Sequence, residues 1–151
     1  CEPPVTNFVF KGLDKAKFNP LIDLEAFDEI IICPSNPFVS INPILQLEGL
    51  NQFLKLHPDR VNVVSPIVNS QSLKGPTSKI MIELGLEVSV NSIANFYKDY
   101  ASTIFVDELD NDQLDCLHTI GFKTFIAPLV MKSLQSKIQL AESIVCSLER
   151  R

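Results

Sequence analysis

The sequence predicts an α/β domain, a Rossmann-like three-layer sandwich with a mostly parallel sheet, on three observations. Short apolar runs enriched in β-branched residues or phenylalanine recur at residues 29–33, 61–65, 103–107 and 123–127. Helical patterns fill the intervals between them, and the runs end in loops of proline and small polar residues. Alternation of this kind implies parallel strands joined by right-handed crossovers, with helices on the faces of the sheet. With 151 residues, 46% of them apolar, the chain is long enough for one domain with a sizeable core, and no stretch approaches the apolar length of a membrane span.

Taken in order, Glu2-Pro3-Pro4 and residues 5–10 read as an extended entry into an edge strand, and the start at Cys1 in place of methionine reads as a cut from something longer. Three successive isoleucines, Ile30 to Ile32, suit a strand covered on both faces. Pro34 and Pro37 then remove backbone donors and stop the ladder, leaving Ser35, Asn36 and Ser40 at its carboxyl end. Helices are predicted over residues 41–57, 77–84, 90–97, 112–120 and 134–149, with Gly85 and Gly121 where C-terminal caps belong. Ligands of an open parallel sheet gather at the carboxyl ends of its strands, here residues 33–36, 65–68, 107–110 and 127–131.

Charge and cysteine usage narrow the partners. A formal charge of -5 and a pI near 5.0, with no basic cluster beyond Arg150-Arg151, argue against a surface that tracks nucleic-acid phosphates. Small anionic ligands stay open. Cysteines at 1, 33, 116 and 146 have no Cys-x-x-Cys spacing and no secretory signal ahead of them, so a cytoplasmic, reducing compartment is expected, with no zinc. Cys33 and Cys146 fall inside apolar patterns and are expected to be buried packing residues.

Three loops have the composition of a site. The first is Pro34 to Ser40, whose plainer reading is a rigid strand-to-helix connection. The second, from Ser65 to Pro76, supplies hydroxyls, Lys74 and Gly75 ahead of a helix beginning near Thr77, an arrangement that suits phosphate, with Lys79 adding charge. A polar turn followed by a solvated lysine face would look the same, and the glycine spacing of a Walker loop is missing. The third, Asp107-Glu108-Leu109-Asp110-Asn111-Asp112, gathers four carboxylates and suggests magnesium, with Asp107 and Asp110 orienting a metal or polarising an attacking hydroxyl. Asp112 as a helix cap and Glu108 facing solvent are the alternative. His57 and His118 have no nucleophile arranged beside them, and Phe38, Phe96, Tyr97 and Tyr100 at helical spacing are either core or the walls of a pocket for a flat ring.

Pro34-Ser35-Asn36-Pro37-Phe38-Val39-Ser40-Ile41-Asn42-Pro43-Ile44-Leu45, with Ser65-Pro66-Ile67, Leu73-Lys74-Gly75-Pro76 and Asp107-Glu108-Leu109-Asp110, resembles in order and spacing the C-terminal half of the 2-phospho-L-lactate transferase family of coenzyme F-420 biosynthesis. Glu83 to Ser89, Ala94-Asn95-Phe96-Tyr97, and Met131 followed by Leu140-Ala141-Glu142 extend the likeness over nearly the whole chain. The resemblance implies transfer of a 2-phospholactyl or phosphoenolpyruvyl group from a guanosine diphosphate conjugate to the ribityl hydroxyl of the deazaflavin Fo, with GMP leaving and Mg2+ assisting. It assigns substrate binding to Ser35, Asn36, Pro37, Ser40, Ser65, Lys74, Gly75 and Thr77, and catalysis or metal contact to Asp107 and Asp110. The family's glycine-rich N-terminal segment and the first half of its sheet are missing from this chain, so the sheet is expected to be the C-terminal half of a larger one. Family members also tend to carry glycine where this chain has Asn69 or Ser70. A non-catalytic nucleotide-binding or structural half-domain, completing a sheet or a homodimer, is the competing reading.

Overall fold

The computed structural model describes residues 4–149. The strands are β1 (Ile30–Ile32), β2 (Val61–Val64), β3 (Ile67–Val68), β4 (Gln71–Ser72), β5 (Thr103–Val106) and β6 (Lys123–Ile126). Four of them form one parallel sheet in the order β1-β2-β5-β6, and β3 and β4 form a separate antiparallel hairpin. Each sheet strand lies within the range predicted for it, and the α/β, Rossmann-like class holds.

Strand order follows chain order, so every crossover steps the same way, and a right-handed connection then places all three on one face. A π-helical turn (Pro37–Ile41), α1 (Asn42–Leu45) and α2 (Leu50–Leu56) join β1 to β2. Next, α3 (Thr77–Glu83) and α4 (Val90–Tyr97) join β2 to β5, and a 3-10 turn (Glu108–Gln113) with α5 (Leu114–Ile120) joins β5 to β6. Alternation along the strands sorts the core accordingly. Val61, Val63, Ile104 and Val106 pack with Leu54, Met81, Ile93 and Leu117 from these crossovers. On the opposite face Val64 and Phe105 pack with Leu140 and Ile144 of α6 (Leu134–Glu149). Burying each such aliphatic side chain contributes roughly 1.5–3 kcal/mol.

Several expectations are corrected. Residues 5–10 form no strand; they run alongside α3, where the Val5 N–H donates to Glu83 Oε2 at 3.1 Å and Val5 and Phe8 pack onto the first core. The helix predicted over 41–57 is broken, because Gly49 takes φ 83°, ψ -55°, which a continuous helix does not accommodate. Asn51 Nδ2 donates to the Leu45 carbonyl freed by that break, at 2.7 Å. The last acidic loop is itself the 3-10 turn, kinked at Asp110, so α5 begins two residues later than predicted. Its end is as expected, with Gly121 at φ 110° as the C-cap.

Among the described residues β1 is the outermost strand of the sheet, and Ile31, which pairs with Asn62 on the α6 face, is 41% exposed rather than covered. Cys33 and Cys146 are also exposed. Cys33 sits one residue beyond the last strand position, and Cys146 lies about 200° around α6 from buried Ile144. The aromatic residues resolve as core: Phe38 meets Phe96 edge-on at 5.5 Å, and Phe96 meets Tyr97 at 4.8 Å. Among the described residues, no helix is long and apolar enough to cross a membrane.

Candidate functional site

Asn36 organises the first loop. Its Oδ1 accepts the N–H groups of Phe38 at 2.9 Å and Val39 at 3.1 Å, and its carbonyl accepts those of Ser40 and Ile41. Pro37 occupies the first position of the turn, where a missing N–H costs nothing. Two donors on Oδ1 settle the orientation of the amide, which leaves Nδ2 as a buried donor with no acceptor. A buried orphan of this kind calls for a partner. Phe38 and Pro37 turn into the protein, while Val39 and Ser40 stay exposed on the other side.

The second loop is shaped by a series of local hydrogen bonds. Ser65, with 0% exposure, accepts the Ile67 N–H at 3.1 Å and donates its hydroxyl to the Ile67 carbonyl at 2.8 Å, turning the chain from β2 into β3. The hairpin tip places Asn69 at φ 48° and Ser70 at φ 56°, and these are the two non-glycine residues with positive φ among the described residues. They are also the positions at which the family resemblance expects a glycine. Both oxygens of Asp110 grip the Asn69 N–H, at 3.0 and 3.2 Å. Below the tip, the Leu73 N–H donates to the Pro66 carbonyl, the Ser72 N–H to Ser78 Oγ, and the Ser72 hydroxyl to the Gly75 carbonyl. Lys74 and Gly75 therefore stand on an exposed wall above buried Thr77. Lys79 turns away and pairs with Glu83, whose carboxyl it holds below the ordinary range, helped by the Val5 N–H.

The acidic loop is committed to the backbone. Asp107, 5% exposed, accepts the Leu109 N–H on Oδ1 at 3.3 Å and the Leu129 N–H on Oδ2 at 3.0 Å, tying the end of β5 to the segment that follows β6. Asp110 is fully buried; burial pushes its carboxyl above the ordinary range, the Asn69 N–H opposes this, and the charges of Asp107 and Asp112 add to it. Among the described residues, no three His, Cys, Asp or Glu side chains assemble into a metal-ligating group. Asp107 lines a hollow that Asp110 does not, so the two carboxylates share no cavity in which both could hold one magnesium ion.

The segment after β6 returns across the strand ends and closes a cleft of about 690 Å³. Ser35, Asn36, Ser40, Lys74, Gly75 and Thr77 line it, so six candidates from two loops nearly 40 residues apart meet in one place. Pro37 and Ser65 lie in the buried layer that supports those loops. Asp107 lines a separate hollow of about 380 Å³ with Glu108, and Asp110 lines neither. Val39, Leu73, Val130 and Met131 give the cleft apolar walls. Lys132 and Lys137 also line it and escaped the sequence reading, which stopped at residue 131 as the end of the fourth strand-end loop.

A parallel α/β sheet whose carboxyl-end loops meet in a mostly apolar cleft with several hydrogen-bond donors is the arrangement of a Rossmann-like ligand-binding domain. Residues 2–118 match the model of the family described as 2-phospho-L-lactate transferase CofD. The chain is 35% identical over 147 residues to the 2-phospho-L-lactate transferase of Methanosarcina mazei, which covers 95% of this chain and 48% of that protein. It is 40% identical over 118 residues to the 2-phospho-L-lactate transferase of Methanocaldococcus jannaschii, covering 78% and 36%. With that of Methanosarcina barkeri the identity is 34% over 146 residues, covering 95% and 47%. The chain belongs to the 2-phospho-L-lactate transferase CofD family, and it spans about half the length of the curated relatives it matches.

Proposed function

We propose that this chain supplies the strand-end cleft of a transferase that moves a 2-phospholactyl, or phosphoenolpyruvyl, group from a guanosine diphosphate conjugate to a hydroxyl of the deazaflavin Fo. The observation that carries this reading is the convergence of Ser35, Asn36, Ser40, Lys74, Gly75 and Thr77 on one cleft in a member of this family. An oxygen nucleophile forms a bond to the phosphorus esterified to the 2-oxygen of the lactate or enolpyruvate, the bond from that phosphorus to the bridging oxygen breaks so that GMP leaves, and the hydroxyl proton is released. Such a reaction depends on positioning and on stabilising charge over the phosphoryl oxygens more than on covalent help from the protein.

In this reading the Ser35 and Ser40 hydroxyls and Asn36 Nδ2 position oxygens of acceptor or phosphate, and Lys74 and the backbone at Gly75 face the diphosphate. The apolar walls from Val39, Leu73, Val130 and Met131 suit a flat ring system. Asp107 and Asp110 act through the loops they hold: Asp107 by anchoring Leu129, Asp110 by anchoring the hairpin. Magnesium enters only as an ion carried by the diphosphate, and no step here is routed through it.

A second reading, a binding or structural half without turnover of its own, is favoured by one observation: both candidate catalytic carboxylates already accept backbone N–H groups. GMP release, checked by mass spectrometry of the product, separates the two. The chain is mixed with Fo, lactyl-diphosphoguanosine and magnesium, with and without the remaining half of a relative. The transferase reading expects product in at least one mixture; a folded complex that forms none supports the second.

A further inference from the structure

We infer that Lys132 and Lys137, with Lys74, form the anion-receiving rim of the cleft and hold the diphosphate of the substrate. This rests on the transferase reading for the identity of the anion and on three observations for its charge. Acidic residues outnumber basic ones 18 to 13 in the chain, yet among the described residues no acidic one lines this cleft, whereas three lysines do. None of the three makes an ion pair among the described residues, unlike Lys79 and Arg60.

The second observation is their placement on α6. Cations are disfavoured at a helix N-terminus, where the macrodipole is positive, and acids are favoured there. Here Lys132 stands two residues before α6 and Lys137 sits just inside it, with no acid in the first turn. A 16-residue helix with its amino end loaded against its own dipole is locally unfavourable, and local conflicts of this sort concentrate at functional sites. An anion seated between Lys132 and Lys137 would reverse the conflict.

The third is Asn36, which lines the same cleft and whose buried Nδ2 has no partner among the described residues. The lysines and the serine hydroxyls of this lining offer donors, so the complementary ligand is rich in acceptors and negatively charged. Phosphoryl oxygens answer both requirements.

The test uses the full chain and inorganic pyrophosphate as the probe, with binding measured by titration calorimetry at low salt. Wild type is compared with the double substitution Lys132→Gln/Lys137→Gln and with Lys123→Gln, a lysine over Phe125 and outside the cleft. All three are first checked for the same fold by circular dichroism, and without anion the double variant should melt no lower than wild type because the load on the helix dipole is relieved. Removing both positive charges from the rim should weaken pyrophosphate binding about tenfold in the double variant, while Lys123→Gln should match wild type. Equal affinity in the double variant, an equal loss in Lys123→Gln, or no binding by wild type would overturn the inference. Pyrophosphate binding that depends on these lysines, found together with no GMP release in the turnover assay, would keep the rim and remove the transferase reading.

Discussion

At the scale of single residues, Asn36 has two jobs that substitution can separate. Its Oδ1 caps the turn and its Nδ2 has no partner among the described residues. Asn36→Ala should lower stability by about 1 kcal/mol through loss of the cap, read from the denaturant midpoint. Asn36→Asp keeps an acceptor for the Phe38 and Val39 N–H groups and should retain the stability, yet both variants should lose pyrophosphate affinity. Asp110 makes a prediction with pH. Because its folded carboxyl titrates above the ordinary 3.8, the folded state binds that proton more tightly than the unfolded chain does. That contribution is fully present below the unfolded value and fades as pH rises through the folded one. Asp110→Asn, uncharged throughout, should therefore gain in melting temperature relative to wild type as pH rises above the ordinary 3.8; a difference that is flat or falling would contradict the assignment. The place of Asn36 at the carboxyl end of a strand was legible because prolines bracket it after an isoleucine run. The role of Asp110 was not, because its partner, the Asn69 N–H, lies 41 residues away and no local pattern reports it.

Among the elements, the β3–β4 hairpin was the one the sequence concealed. Two strands of two residues each are too short to show a period, so residues 65–76 read as a single loop. The tip holds both Asn69 and Ser70 at positive φ, which Asn tolerates and Ser tolerates less well. Ser70→Gly should accordingly raise stability by about 1 kcal/mol, or roughly 3 °C in melting temperature. The helix expected over 41–57 differs for the converse reason: its apolar spacing is helical throughout, and only the backbone at Gly49 reveals the break. α6 lies where its pattern predicts, and its buried stripe is narrow. Leu140→Ala should cost about 2–5 kcal/mol, as measured by equilibrium unfolding, because Leu140 and Ile144 are its buried contacts with the second core.

For the molecule as a whole, four parallel strands were legible because each apolar run is bounded by turn residues and separated by helical spacing. Which strand lies at the edge was not, since Ile30 to Ile32 would read the same in a central position. The chain-order arrangement β1-β2-β5-β6 gathers the crossovers on one face and leaves the other to α6, whose leading segment then closes the cleft. This is why Lys132 and Lys137 reach a site begun nearly a hundred residues earlier. The central claim is that this cleft receives the substrates, and amide chemical-shift mapping of the full chain on addition of GDP or Fo tests it most directly. We predict perturbations concentrated in residues 34–40, 73–77 and 129–137. Perturbations centred instead on the hollow beside Asp107 and Ile126, or none at saturating ligand, would contradict it.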